Sequence, residues 1–311
     1  MKTITIKGTG SALPERQMEN EELTNLVDTS DAWIRERTGI ARRHIAEEET
    51  VVSLAAKAAL SALEQAGKNP TEVELILLAT CSPEYLLPCS ACQVQERIGA
   101  VHALAFDINA ACSGFLFGLT TANAYLQTGQ FRNALVIGSE VLSRLVDWTD
   151  RGTCILFGDG AGAVYLEAAQ QEHRGFLGSA LHADGRKGKV LECGRKALIW
   201  MDGQEVYRFA VKQVPLCIEE ALEQAGLAVE EIDWFFLHQA NIRILEAVAK
   251  RLHADSAKFA TNLEEVGNMS SASIPVLLDE WNRKGRIQRG QRLVLAGFGA
   301  GLTYGACVFI W

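Results

Sequence analysis

Apolar and polar positions alternate over residues 1–8, Met-Lys-Thr-Ile-Thr-Ile-Lys-Gly, which predicts an opening strand. Residues 28–39 change to a short helical pattern, with Asp28, Thr29 and Ser30 as capping candidates in front and Gly39 behind. A strong amphipathic helix follows over 51–66, stopped by Gly67. Residues 73–80 predict a strand, and a helix near 90–98 comes next. Between 103 and 119 a mainly apolar strand pattern gives way within a few residues to a mainly apolar helix pattern, which Gly129 closes. Residues 134–138 are a further buried strand.

The same succession returns later in the chain. Residues 73–80 match 232–239, the helix at 93–98 matches 242–252, 106–119 match 259–277, and 129–138 match 285–296. In this alignment Cys112 precedes Leu135 by 23 positions and Ser270 precedes Leu293 by the same 23, which pairs Cys112 with Ser270. Two copies of one mixed strand and helix unit predict an α/β architecture, with layered sheets and helices between and outside them. The join falls near 166–176, a polar stretch without apolar periodicity, and divides the chain into halves at 1–168 and 169–311.

A length of 311 residues allows a sizeable core, and 48% hydrophobic with 22% charged residues is ordinary for a globular chain. No apolar run approaches the roughly eighteen residues of a membrane span, so no membrane partner is expected. The first residues lack the apolar core and cleavage site of a secretory signal, which predicts a cytoplasmic protein. A net charge of −8 argues against broad nucleic-acid binding. Eight cysteines in such a chain point to reduced thiols. Cys89-Ser-Ala-Cys92 has redox or zinc-knuckle spacing, but no second pair completes four ligands; the pair reads as structural, and no metal site is expected.

The candidate chemistry centres on Cys112. A strand feeding directly into a helix leaves N–H groups unpaired and aims the positive end of the helix dipole at the junction, which predicts a thiol with a depressed pKa. The alternative is a small core cysteine. His238 follows directly on the apolar residues 234–237, and Asn268 lies one turn before the helix that matches the one after Cys112. Singly, these are a strand-end histidine and a turn former; jointly, their matching positions gather a cysteine, a histidine and an asparagine into one cleft near a pseudo-twofold axis. The glycine-rich stretch at 293–305 lacks the helix and acidic residue of a dinucleotide site; it reads as a loop between two strands whose N–H groups suit a developing oxyanion. Phe157-Gly-Asp-Gly-Ala-Gly162, at the corresponding place in the first copy, reads as a tight structural turn because no Gly-Lys-Ser/Thr follows.

From residue 6 to the C-terminus the chain resembles the beta-ketoacyl-acyl-carrier-protein synthase III family of thiolase-fold condensing enzymes. The resemblance rests on Asp28-Thr-Ser-Asp-Ala-Trp-Ile-Arg-Glu-Arg-Thr-Gly-Ile40, Ala110-Ala-Cys-Ser-Gly114, Thr149-Asp-Arg-Gly152, Phe157-Gly-Asp-Gly-Ala-Gly162, His238-Gln-Ala-Asn-Ile-Arg243 and Gly267-Asn-Met-Ser-Ser-Ala-Ser-Ile-Pro275. It implies a thiolase-like fold in α-β-α-β-α layers, a homodimer, and a ping-pong Claisen condensation that starts fatty acid synthesis from acyl-CoA and malonyl-acyl-carrier protein, with no cofactor because acyl-CoA is a substrate. The resemblance assigns Cys112 as the acyl-accepting nucleophile and gives His238 and Asn268 the malonyl thioester carbonyl. Those two neutral donors suit an enolate oxygen. The resemblance further implies that the N–H groups of Cys112 and Ala300 hold the tetrahedral oxyanion.

The resemblance also places Trp33 and Arg151 on either side of the CoA adenine and Arg37, Gly152, Asn241 and Arg243 along the CoA channel. From the residues alone, Trp33 and Arg37, four apart, either grip a flat ring or stack on each other. Carrier-protein docking falls to Arg208, Arg243, Lys250 and Arg251, the last three sharing one helix face. The chain departs from the family in three places. Ala300 stands where many members have glycine, residues 186–200 form a shorter segment, and Leu86-Leu87 replaces a position that often carries a bulky aromatic from the dimer partner. These leave the primer open between acetyl and longer or branched acyl groups. Other readings are a related condensing enzyme of secondary metabolism using another acyl-CoA, a cysteine hydrolase with a Cys-His-Asn set, and a catalytically silent CoA-binding protein.

Overall fold

Local signals set the elements in the computed structural model, which describes residues 3–169, 175–194 and 198–311. Strand β1 (Thr3–Ala12) is followed by helix α1 (Asp31–Thr38), begun by the Ser30 hydroxyl, which accepts the Trp33 N–H at 3.2 Å, and ended by Gly39 at φ 82°. Helix α2 (Val51–Ala66) is capped by Thr50. Then come β2 (Leu75–Ala79), α3 (Ser90–Ile98), β3 (Leu104–Ile108), α4 (Gly114–Thr128), β4 (Asn133–Glu140) and β5 (Gly160–Ala169). The rest comprises β6 (Gly175–Ala183), α5 (Gly203–Ala225), β7 (Trp234–Leu237), α6 (Ile242–Arg251), α7 (Ser273–Arg283), β8 (Arg292–Gly299) and β9 (Thr303–Ile310).

The first sheet runs β1-β5-β4-β2-β3 and the second, read from its far side, β6-β9-β8-β7. In both, the pair at the nucleophile side (β4/β2, β8/β7) is parallel and the remaining pairs toward β1 or β6 are antiparallel. Where β3 extends the first sheet, the second has a single parallel bridge, Phe235 to Phe259. The inner strands β2, β4 and β8 are buried on both faces, so alternate residues feed different cores: Leu75 and Leu77 face the centre while Ile76 and Leu78 face outward. Helices α4 and α7 fill the centre between the sheets, α2 and α3 cover the outside of the first, and α5 and α6 the outside of the second. The result is the expected α-β-α-β-α layering.

The structure corrects one detail of the repeat. Strand β7 begins 159 residues after β2 (234 − 75), α7 begins 159 after α4 (273 − 114), and β8 begins 159 after β4 (292 − 133). Ala111 and Ser270, both at φ 46°, are also 159 apart. The counterpart of Cys112 is therefore Ser271, not Ser270. Leu-Val sequences in both strands allow a one-residue slide by hydrophobicity alone, and only the backbone removes that freedom. The join near 166–176 includes 170–174, and the short 186–200 segment includes 195–197; both sets lie outside the described residues.

Candidate active site

Cys112 sits in a single 3-10 turn, Ala111–Ser113, between β3 and α4. The Ala111 N–H donates to Asn109 Oδ1 at 3.3 Å, and Ser113 Oγ lies 2.8 Å from both the Ala110 carbonyl and Thr303 Oγ1. Thr303 Oγ1 is in turn 2.9 Å from the Ala110 carbonyl and 3.0 Å from that of Ala300, which ties the β8–β9 hairpin to the nucleophile turn. The hairpin also approaches closely: a Cβ on Gly299 would lie 2.6 Å from the Cys112 nitrogen. Glycine is required there by space.

Cys112 is half-buried, yet its thiol is pushed up to about 12, chiefly by burial and further by the Glu140 carboxylate, while the Ser270 hydroxyl pulls the other way. The sequence predicted a depressed value. Removing the sulfur from water outweighs the fractional charge of the helix terminus, so the resting residue is a thiol.

His238 continues from β7, its N–H donating to the Ala296 carbonyl at 2.8 Å, and its ring meets Phe298 edge-on at 5.6 Å. The side chain is 2% exposed, and burial pushes its pKa down to about 3. Nδ1 is sealed without a partner among the described residues, which leaves Nε2 as the nitrogen that faces the cavity. Asn268 is held by its backbone, which donates to the Leu156 carbonyl at 2.9 Å and accepts from the Gly158 N–H at 3.0 Å. Its Oδ1 accepts the Ser270 N–H at 2.9 Å, which frees Nδ2 for the cavity. The 157–162 motif acts through close approach: a Cβ on Gly158 would lie 2.5 Å from the Val266 oxygen, and one on Gly162 2.5 Å from the Val276 nitrogen.

Cys112, His238 and Asn268 line one cavity of about 1190 Å³, together with Trp33, Arg37, Arg151, Gly152, Arg208, Asn241 and Arg243. The Arg151 guanidinium lies 4.8 Å from the centre of the Trp33 ring and that of Arg37 5.7 Å. The structure thus has both arginines on the tryptophan. Asp150 caps the short turn Arg151–Cys154 by accepting the Gly152 N–H at 2.8 Å. Asn241 caps α6 through the Arg243 N–H, 2.9 Å, and donates to the Arg37 carbonyl at 2.9 Å. Lys250 and Arg251 are exposed in the last turn of α6, away from the cavity lining; Arg208 pairs with Glu205 at 2.7 Å. A second cavity of about 170 Å³ opens beside Cys112 and Ala300, lined by Leu142, Leu145, Leu191 and Ile199.

Sequence reasoning passed over Cys81, Glu140 and Phe298, and took Ser270 only as the repeat counterpart of Cys112. One signal was present, a carboxylate at the end of the otherwise apolar stretch that forms β4. The Cys89 and Cys92 sulfurs lie 3.3 Å apart, and no group of three or more His, Cys, Asp or Glu among the described residues could hold a metal ion. No helix among them is long and apolar enough to cross a membrane.

The doubled layers around a strand-to-helix cysteine place the chain in the class of thiolase-fold condensing enzymes. Comparisons with known proteins narrow the class. The family model described as 3-Oxoacyl-[acyl-carrier-protein (ACP)] synthase III matches residues 106–185, and its C-terminal counterpart matches 222–311. A beta-ketoacyl-[acyl-carrier-protein] synthase III of Thermosynechococcus vestitus is 51% identical, over 99% of this chain and 98% of that protein. The crystal structure of 3-oxoacyl-[acyl-carrier-protein] synthase III from Aquifex aeolicus VF5 aligns with a TM-score of 0.97 at 42% identity, covering 99% and 100% of the two chains. The priming beta-ketosynthase of the R1128 polyketide pathway aligns at 0.95 and 34% identity, covering 99% and 96%. The chain belongs to the beta-ketoacyl-[acyl-carrier-protein] synthase III family, acyltransferases of fatty acid biosynthesis.

Proposed function

We propose that the protein takes an acyl primer from acyl-CoA onto Cys112 and condenses it with malonyl-acyl-carrier protein, with loss of carbon dioxide, to begin fatty acid synthesis. One observation carries this reading: a single cavity holds the cysteine, histidine and asparagine together with a tryptophan flanked by arginines. In the first half-reaction the Cys112 sulfur gives up its proton and attacks the thioester, the N–H groups of Cys112 and Ala300 receive the oxyanion, and CoA departs as its thiol. In the second, His238 Nε2–H and Asn268 Nδ2–H donate to the malonyl thioester carbonyl. Decarboxylation moves charge onto that oxygen, and the resulting carbanion attacks the acyl group and expels the Cys112 sulfur. Burial suits His238 to this work, because an uncharged imidazole can donate without bringing a proton the enolate would take.

Trp33 stacks on the CoA adenine. A base between ring and guanidinium needs them roughly 7 Å apart, two contact distances, so Arg151 moves outward from its 4.8 Å position when CoA binds. Arg37, Gly152, Asn241 and Arg243 line the CoA channel, and Arg208, Arg243, Lys250 and Arg251 receive the acidic carrier protein. The 170 Å³ cavity suits a short acyl primer. The working unit is a cytoplasmic homodimer of chains built from halves 1–168 and 169–311, and the reaction needs no cofactor beyond its two thioester substrates.

Radiolabelled acetyl-CoA tests the first step and a primer panel with malonyl-acyl-carrier protein the second. An acid-stable label on Cys112, absent from Cys112→Ser, and a ketoacyl product are expected; the serine variant keeps malonyl decarboxylation while losing acyl transfer at least ~10³-fold. Thioester hydrolysis without ketoacyl product would indicate a hydrolase, and absence of label a silent CoA binder. A strong preference for another acyl-CoA would indicate secondary metabolism.

A further inference from the structure

Glu140 ends β4 behind Cys112, fully buried at 0% exposure, and the proposed mechanism does not use it. Its charge is met entirely by hydrogen-bond donors, since none of the ion pairs among the described residues reaches it. Oε2 accepts the Ser82 hydroxyl at 2.6 Å, the Cys81 N–H at 3.1 Å and the Thr80 hydroxyl at 3.2 Å. Oε1 accepts the Ser271 hydroxyl at 2.8 Å, and the Cys81 sulfur lies 3.5 Å from both oxygens. A buried carboxylate satisfied this fully is costly to assemble and rigid once assembled.

The donors come from two distant parts of the chain. Thr80, Cys81 and Ser82 follow β2, whereas Ser271 occupies the position in the second repeat that Cys112 occupies in the first. Ser271 Oγ also lies 2.9 Å from the Ala79 carbonyl, and a Cβ on Gly138 would come within 2.3 Å of the Ser271 oxygen, so the turn is wedged against β2 and β4. Its neighbour Ser270 acts in two directions. The Ser270 N–H fixes Asn268 Oδ1, and the Ser270 hydroxyl lies 3.8 Å from the Cys81 sulfur and pulls the Cys112 thiol down.

We propose that Glu140 is a positioning residue for the condensation: by tethering Ser271 to the turn after β2, it sets the Ser270 turn that aims the Asn268 amide and steadies the Cys112 sulfur. The inference rests on the condensing role of Cys112 and Asn268. It carries an electrostatic signature as well. The titratable groups that feel the Glu140 charge are the thiols of Cys81 and Cys112, and it pushes both upward.

Two variants of the full chain test the proposal. In Glu140→Gln the carboxamide oxygen takes the Cys81 N–H and Ser82 hydroxyl, its NH₂ donates to Ser271 Oγ, and the Ser271 proton turns to the Ala79 carbonyl; the contacts survive and the charge goes. Alkylation of Cys112 by iodoacetamide, followed against pH by mass of the peptide that carries it, is expected to shift its midpoint to lower pH, with roughly tenfold faster labelling at a fixed pH below it. Ser271→Ala removes the tether while sparing the carboxylate, and kcat for condensation is expected to fall about tenfold with the KM for acyl-CoA unchanged. A Ser271→Ala enzyme with the parent kcat overturns the tether, and an unmoved alkylation midpoint in Glu140→Gln overturns its electrostatic signature. Failure of the broader reading is distinguishable, because then the parent chain itself forms no ketoacyl product, while the alkylation profile still reports on Glu140.

Discussion

Burial holds the folded-state pKa of His238 down to about 3, far below the ordinary 6.5, so the imidazole is neutral near pH 7. The sign of the consequence is fixed by linkage. Below 6.5 the unfolded chain binds a proton that the folded chain refuses, so this residue's contribution is fully present above 6.5 and is lost as pH falls toward 3. Chemical denaturation across that window should show His238→Ala losing less stability on acidification than the parent; parallel pH profiles would contradict the burial argument. The same neutrality defines the kinetic phenotype. His238→Ala and Asn268→Ala each remove one proposed donor to the enolate oxygen, so condensation should fall by ~10²–10³-fold while Cys112 still accepts the acyl group. Single-turnover acylation followed by addition of malonyl-acyl-carrier protein separates the two steps, and loss of acylation in both variants would defeat the division of labour.

At the scale of elements, α1 supplies the most legible part of the proposed CoA wall. Its cap at Ser30, stop at Gly39 and four-residue spacing of Trp33 and Arg37 all follow from local rules. Arg151, which sits nearer the ring than Arg37, belongs to a turn far away in sequence, and no local pattern could place it there. Trp33→Ala should raise the KM for acyl-CoA about tenfold with kcat little changed, since a stacked ring contributes binding of about 1 kcal/mol or slightly more; a fall in kcat alone would remove the adenine from this face. The strands and helices of both repeats were legible because buried parallel strands leave continuous apolar runs. Two features were not. The pairing of Cys112 with Ser271 depends on backbone register, which hydrophobicity leaves loose by one residue, and the raised thiol depends on how much protein surrounds the sulfur. Glu140 was visible as a charge but not as a junction, because its partners lie about 60 and 130 residues away.

At the scale of the molecule, β3 ends the first sheet with its outer edge unpaired among the described residues. That edge is apolar: Leu104 within it is 45% exposed, and Leu87, in the loop between β2 and α3, is 86% exposed. An exposed apolar sheet edge invites pairing, and closed symmetry permits it when two copies of β3 run antiparallel about a twofold axis. Such a dimer would join the two first sheets into one. Leu104→Asp tests this arrangement, because a half-exposed side chain contributes little to the fold of a single chain, whereas a paired edge would bury the aspartate's charge among apolar residues. Light scattering should give twice the chain mass for the parent and a concentration-dependent shift toward the single chain for the variant. If the dimer completes the primer cavity through that loop, acyl transfer falls in step with the dimer fraction. A variant that stays dimeric with full activity would move the interface elsewhere.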